Sequence, residues 1–296
     1  PWYLSGVFRT SGPMTAQTRV QLPPQRRVTA LILAGRREGP DELAAAANAP
    51  HRAFLDIGGE PMLQRVVRTL KAVPAIGRIV ISTDRPELLN AYPSLAAAVA
   101  DGSITVRPGH LSVSHNVIAA LEALGDHEPV LVTTADHALL TPAMVEHFLS
   151  QAGAAQADLA FGLVAASRVR ARFPLSQRTY LPFRDDGYSG ANLFAFLTPA
   201  ARRAAEFWTQ VEEERKKPWR LARAFGWKSF ALFMLRRLDL AAAMRRASRV
   251  IGARIAAISL PFAEAAVDVD RIGDLVLVRQ LLSGAPPVAG AGPRGR

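Results

Sequence analysis

The chain has no cysteine. That excludes disulfides, thiolate zinc sites and cysteine nucleophiles before any motif is considered. Long apolar runs are missing too. The strongly apolar stretch at 229–235 is bounded by Lys228 and Arg236 and is far too short to span a bilayer. Residues 1–24 hold no apolar core of the length a secretory signal needs, so a cytoplasmic location is expected. Acidic residues are in deficit, with 36 Lys and Arg against 25 Asp and Glu and a net charge of +11. The excess is local: between Arg202 and Arg254 stand fourteen Lys/Arg and five Asp/Glu. Several catalytic signatures are absent as well. No G-x-G-x-x-G follows the first strand, no G-K-[ST] marks a P-loop and no G-x-S-x-G marks a hydrolase elbow. The six histidines do not form a metal set: His110 and His115 share no helical face, and His147 has no partner at i+4. His137 reads as a hydrogen-bonded structural residue ahead of one that orients a substrate.

Apolar residues make up 49% of the 296 and charged residues 21%, a balance that supports a folded core. Residues 1–27 read as a loose lead-in and 286–296 as a disordered Pro/Gly/Arg tail. Between them, 28–285 reads as one domain, with a helical basic elaboration at about 200–254. Short apolar runs at 28–33, 78–82, 103–107, 129–134 and 159–164 are spaced by helical patterns at 61–73, 86–100, 114–124 and 142–152. Ser114 is the expected N-cap of the third of these helices. Such alternation predicts an α/β fold of three layers around a doubly wound, mostly parallel sheet. In that fold the functional groups gather beyond the carboxyl ends of the strands.

Gly35, Asp84 and Asp136 all fall at such ends. The run Leu-Ile-Leu-Ala-Gly-Arg-Arg at 31–37 brings a strand to an Ala-Gly end, where backbone N–H groups can approach a nucleotide. Arg36 and Arg37 follow with charge for phosphates. At 50–63 stands Pro-His-Arg-Ala-Phe-Leu-Asp-Ile-Gly-Gly-Glu-Pro-Met-Leu. A strand ending in L-A-G, then a basic residue before an apolar stretch and G-G-x-P-M-L, resembles the MobA-like NTP transferases. That superfamily includes sugar-nucleotide pyrophosphorylases, molybdenum-cofactor guanylyltransferases and CMP-sugar synthetases. The family pattern is P-K-x-L, its lysine on the NTP phosphates; here Arg52 stands in that role, one place displaced by His51. Arginine offers a bidentate grip where lysine offers a point charge.

The resemblance implies a GT-A-like nucleotidyltransferase and assigns roles along the chain. Asp136, directly after a central strand, becomes the first ligand of Mg²⁺, which needs only one or two carboxylates beside phosphate and water. Residues 268–274, Asp-Val-Asp-Arg-Ile-Gly-Asp, resemble the family's D-x-D-T-P-x-D. Asp270 matches the metal-facing aspartate. Asp268 lies two residues before it, on the same face if the segment is a strand. Asp274 is expected to cap a helix beginning at Leu275. Arg271-Ile-Gly replaces the usual T-P-x. Leu33, Ala34, Gly35, Arg36, Ser112 and Ser114 fall to the nucleotide. Gly190 and Asn192 fall to the acceptor.

The reaction implied is in-line attack by an acceptor phosphate on the α-phosphorus of an NTP, GTP or CTP, with pyrophosphate leaving. Arg52 and Arg36 steady the pyrophosphate, and positioning and charge neutralisation dominate. The acceptor is a phosphorylated small molecule or a lipid-linked one; nucleic acid is not expected. The aromatic and basic stretch at about 219–238 suits packing, an acceptor lid or an anionic membrane surface. Two other readings stand beside this one. Asp268-Val-Asp270 also suits a GT-A glycosyltransferase using a nucleotide-sugar donor, and Arg52 with the missing T-P suits a nucleotide-binding module without turnover.

Overall fold

The computed structural model of the chain describes residues 27–35, 39, 41–110, 112–125, 127–213 and 226–284. The lead-in at 1–26, Arg36, Arg37, the stretch 214–225 and the tail lie outside the described residues.

Strand β1 (Val28–Leu33) is apolar on both faces because both are covered. Ala30 and Ile32 enter one core and Leu31 the other. A short helix α1 (Glu42–Ala46), capped by the Asp41 side chain, precedes a two-stranded hairpin of β2 (Asp56–Ile57) and β3 (Glu60–Pro61). Gly58 and Gly59 form its turn with φ of 66° and 86°, a left-handed pair that only glycine adopts freely. The Gly-Gly of G-G-x-P-M-L is thus a hairpin turn that feeds α2 (Met62–Lys71). Then come β4 (Ile76–Thr83), α3 (Pro93–Ala100), β5 (Ile104–Pro108), α4 (Val113–Leu124), β6 (Val130–Thr134), α5 (Pro142–Ala154), β7 (Leu159–Ala165) and α6 (Ala166–Arg172). The chain continues through β8 (Leu181–Pro182), β9 (Gly187–Phe196), α7 (Ala201–Glu213), α8 (Trp227–Met234), α9 (Leu240–Ile251), β10 (Ile255–Ser259) and α10 (Ile272–Leu282).

The main sheet runs β10-β7-β9-β6-β1-β4-β5, with β8 beside β9. Pairing is parallel throughout except for β9, which runs antiparallel to β6, β7 and β8. Helices α2, α5 and α10 cover one face, α4 and α7 the other. The architecture is therefore the three-layer, mostly parallel α/β fold expected. The chain leaves β1 for β4 and β5 on one side, then returns to β6 on the other. That reversal is a topological switch point, where a crevice opens at the carboxyl ends.

Four local expectations are corrected. The helix read at 86–100 is a 3₁₀ turn (Pro86–Ala91) followed by α3, because Pro93 forces Tyr92 out of helical conformation. Ser112, not Ser114, caps α4: its hydroxyl accepts from the His115 N–H at 3.3 Å, while Ser114 is wholly buried in the first turn. Residues 267–270 are irregular chain rather than strand. Helix α10 begins at Ile272, so Asp274 lies inside its first turn and accepts from the Asp270 and Arg271 N–H groups at 3.2 and 3.0 Å.

Candidate active site

On the β1 side of the crevice the rim is built by backbone. The Ala34 N–H donates to Ser82 O at 2.8 Å and the Ala135 N–H to Leu33 O at 2.9 Å, so the ends of β1, β4 and β6 are locked together. Gly35 faces the His110 carbonyl across the crevice mouth; a Cβ there would lie 3.7 Å from it. Gly109 is packed tighter, since a Cβ would meet the Thr83 carbonyl carbon at 2.8 Å. His110 and Ser112 are held by Asn116. Its Oδ1 accepts from the His110 N–H at 2.6 Å and the Ser82 hydroxyl at 3.0 Å. Its Nδ2 donates to His110 O at 2.7 Å and Ser112 O at 2.8 Å. Four bonds exhaust what one amide can make in this position. The Ser112 and Ser114 hydroxyls lie 3.0 Å apart. His51, capping the 3₁₀ turn Arg52–Phe54, places Nε2 3.4 Å from Asp84 Oδ1, and burial holds its pKa below the ordinary value.

The β6 side carries charge. Asp136 follows β6 by two residues and accepts from the Thr134 hydroxyl. Its carbonyl accepts from the Val269 N–H at 3.1 Å, which draws the 267–270 segment alongside it. Burial pushes the Asp136 carboxyl up to about 6; Asp268 and Asp270 push the same way, while the Thr134 bond and Arg52 pull against them. Three carboxylates from two distant parts of the chain therefore share one field. Arg52 is buried. Its Nη2 donates to Val269 O at 3.2 Å and lies 3.5 Å from Asp270 Oδ1, and its Nε lies 3.8 Å from Asp41 Oδ2. Arg52 thus braces the aspartate segment through Val269 and Asp270.

Asp268 is engaged elsewhere. Arg178, with a side chain only 7% exposed, bonds its carboxylate, donates to its carbonyl at 3.2 Å and reaches Asp274 Oδ1 at 2.7 Å. Asn192 Nδ2 donates to Asp268 Oδ2 at 3.3 Å. A bulge aims this amide. Register between β7 and β9 jumps from Phe161–Phe194 to Leu163–Gly190, leaving residues 191–193 opposite Gly162. Asn192 takes a φ of 46°, a left-handed conformation that Asn tolerates better than most residues. Gly190, exposed and with open space where a Cβ would point, lies just before the bulge.

The structure thus brings Arg52, Asp136, Asp268, Asp270 and Asn192 to one side of the crevice, and Leu33, Ala34, Gly35, Ser112 and Ser114 to the other. Asp268 is tied to Arg178 and Asn192. His137 differs from expectation: it is buried, and neither ring nitrogen has a hydrogen-bond partner among the described residues. Burial pushes its pKa down to about 4, so it is neutral at physiological pH. Arg178 and Asn116 escaped the sequence reading. Asn116 carried one signal, an Asn inside a helix, where its side chain competes with the backbone. Among the described residues no group of three or more His, Asp or Glu is arranged to ligate an ion, and no helix is long and apolar enough to cross a membrane.

A MobA-like NTP transferase domain model matches residues 30–249. A solved structure of a hypothetical transferase from Thermus thermophilus is 32% identical and covers 84% of this chain and 99% of its own, with a TM-score of 0.69. CMP:2-keto-3-deoxy-manno-octonic acid synthetase, solved with CTP, shares the fold at 16% identity, covering 87% of this chain and 99% of its own with a TM-score of 0.54. Among curated proteins, the 3-deoxy-manno-octulosonate cytidylyltransferase of Nitrobacter hamburgensis is 32% identical over 121 residues, 39% of this chain. The chain spans less than half of that relative's length, 44%.

Proposed function

The chain belongs to the MobA-like NTP transferase domain family of nucleotidyltransferases, and from that membership we propose that it transfers a nucleoside monophosphate, CMP first among candidates, from its triphosphate to an anionic sugar or sugar phosphate. The observation that carries this reading is the Asp136–Asp270–Arg52 cluster at the switch point, beside a backbone-lined crevice. The cytidylyltransferase names of the curated relatives favour CTP over GTP, and their octulosonate favours an acidic sugar as acceptor.

The residues fit a divalent cation. Asp136 is disfavoured as an anion by burial and by two neighbouring carboxylates, against which only Arg52 and the Thr134 bond act. Positive charge is short there. Mg²⁺ accepts one or two carboxylates, so Asp136 with Asp270 is sufficient, and Asp268 serves its position. When bound, the ion supplies charge neutralisation to a triphosphate. The acceptor oxygen, a phosphate oxyanion or a sugar hydroxyl that gives its proton to water, forms its bond to the α-phosphorus as the bond to the bridging oxygen breaks, and pyrophosphate departs with that electron pair. Arg52 offers positive charge to the departing group from beside Asp270. The backbone at Leu33, Ala34 and Gly35, with Arg36 and the Ser112 hydroxyl, holds the nucleotide; Ser114, wholly buried, positions the Ser112 hydroxyl from 3.0 Å rather than touching the ligand. Gly190 leaves room for the acceptor and the Asn192 amide orients it.

Pyrophosphate release tests this directly, using each of the four NTPs with Mg²⁺ and a panel of anionic sugars and sugar phosphates. Release should require one NTP and one acceptor, and Asp136→Ala should lower it by about a hundredfold or more. Release that ignores Asp136→Ala, or nucleotide binding without release across the panel, would overturn the reading.

A further inference from the structure

Helix α8 shows two faces of different character. Phe230 and Phe233 are half-buried, and the Phe233 ring meets Phe183 at 5.7 Å, which in turn meets Tyr188 at 6.0 Å. Arg184 N–H also donates to Leu238 O at 2.9 Å, just past the helix. These contacts hold one side of α8 against the chain that leads into β9. Along the other side, Trp227, Ala231, Met234 and Leu235 fall at i, i+4, i+7 and i+8, a single helical stripe. All four are exposed, Trp227 and Met234 at 63% and Leu235 at 64%. A contiguous stripe of large apolar side chains facing water marks an interaction surface rather than a random exposure.

Its surroundings identify the partner. Lys228, Arg236 and Arg237 are exposed beside the stripe. Across residues 226–254 the cations are Lys228, Arg236, Arg237, Arg245, Arg246, Arg249 and Arg254, against the single acid Asp239. A second copy of this chain would bring two cationic faces together, which opposes pairing. An anionic bilayer surface meets both halves of the pattern. Tryptophan and aliphatic side chains enter the headgroup boundary while Lys and Arg meet lipid phosphates. We propose that α8 is a membrane-docking helix that seats this protein on anionic lipid, tied through Phe183 and Tyr188 to the strand carrying Gly190 and Asn192. The docking rests on α8 and the cations that follow it and does not depend on which nucleotide is transferred.

Co-sedimentation of the full chain with phosphatidylcholine vesicles, with and without phosphatidylserine, reads the proposal. The chain should sediment with the anionic vesicles and stay soluble with phosphatidylcholine alone. Trp227→Ser with Met234→Ser should release it. Lys228→Glu with Arg237→Glu should do so too, with roughly fivefold lost per charge removed and more for each reversed. Arg236 is left intact because its φ of 54° would add backbone strain to the test. All four positions are exposed, so circular dichroism and pyrophosphate release from the NTP with a water-soluble acceptor should not change. The proposal fails if the intact chain ignores anionic vesicles, or if both double variants bind as it does. It also fails if the intact chain is a lipid-free dimer that Trp227→Ser with Met234→Ser dissociates, since the stripe would then belong to a second copy.

Discussion

Asn116 and Asp268 each gather a loop at the carboxyl rim of the sheet, and they do it with opposite chemistry. Asn116 ties the segment after β5 to β4 through one neutral amide, with three bonds to His110 and Ser112 and a fourth from the Ser82 hydroxyl. Asp268 fixes the segment before α10 through a buried guanidinium and the amide of a bulged strand. The neutral hub stands on the side assigned to the nucleotide, where shape must be kept whatever charge arrives. The charged hub stands beside Asp136 and Asp270, in a field that changes whenever a cation or phosphate enters. One side of the crevice is thus set by directional bonds, and the other by a balance of charges that a ligand can shift.

The largest effect should come from breaking the charged hub. Arg178→Met strands Asp268 and Asp274, whose side chains are only 27% and 14% exposed. Removing one partner of a buried pair leaves uncompensated charge, at a cost of about 3 kcal/mol when the partners keep some water. Denaturant unfolding should show that loss, and added salt should shrink it. Asn116→Ala comes next. It leaves the His110 N–H, two carbonyls and the Ser82 hydroxyl to find other partners, a loss of about 2 kcal/mol. That loss should be nearly indifferent to salt. Asn116→Asp should do no better, since a carboxylate cannot donate to the His110 and Ser112 carbonyls. Equal salt responses in the two series would erase the contrast between the hubs.

A smaller effect lies in the pH response of the metal-free protein. Asp136 is raised from 3.8 to about 6 in the fold, so between those values the folded state binds the extra proton and stability falls as pH rises. His137 is lowered from 6.5 to about 4, so in its window the unfolded state binds the proton and stability rises with pH. Adjacent residues therefore oppose each other between about pH 4 and 6, and the intact chain should show little net slope from this pair. Asp136→Asn should expose the rising His137 slope. His137→Phe should expose the falling Asp136 slope. Denaturation midpoints across that range in chelator would show it; a slope unchanged by either substitution would mean the pair does not govern it.

Legibility followed sequence distance. The parallel strands could be read because each is a short apolar run whose meaning is local. β1 matches from Val28 to Leu33, and β6 begins one residue later than read, at Val130; Pro129 has no N–H to give but its carbonyl still accepts from the Thr29 N–H at 2.9 Å. The helix read at 86–100 failed where periodicity was followed across Pro93, although the proline carried the break. Motif positions far apart in sequence are neighbours in the fold: Arg52 lies 3.5 Å from Asp270, and Asp136 feels the charge of both. Their local geometry was less visible. Asp268 and Asp270 looked like neighbours on a strand, but the segment is irregular and Asp268 answers to Arg178, 90 residues away. Nothing near Arg178 announces such a partner, and nothing in the Gly-Ala-Asn run at 190–192 announces a bulge.

The bulge supports the smallest prediction and the one that separates position from contact. Asn192 combines a strained φ with a single 3.3 Å bond to Asp268. Asn192→Gly relieves the strain as it loses the bond, so stability should stay within about 1 kcal/mol. Asn192→Ala keeps the strain and loses the bond, and should cost about 1–2 kcal/mol. If the amide itself touches the acceptor, both variants should raise the acceptor KM alike although their stabilities differ. If it acts only by holding Asp268 and the strand in register, the alanine variant should be the more impaired, because its bulge is the less stable. A KM that tracks stability would therefore move Asn192 from the acceptor to the hub, and one that ignores stability would keep it with the acceptor.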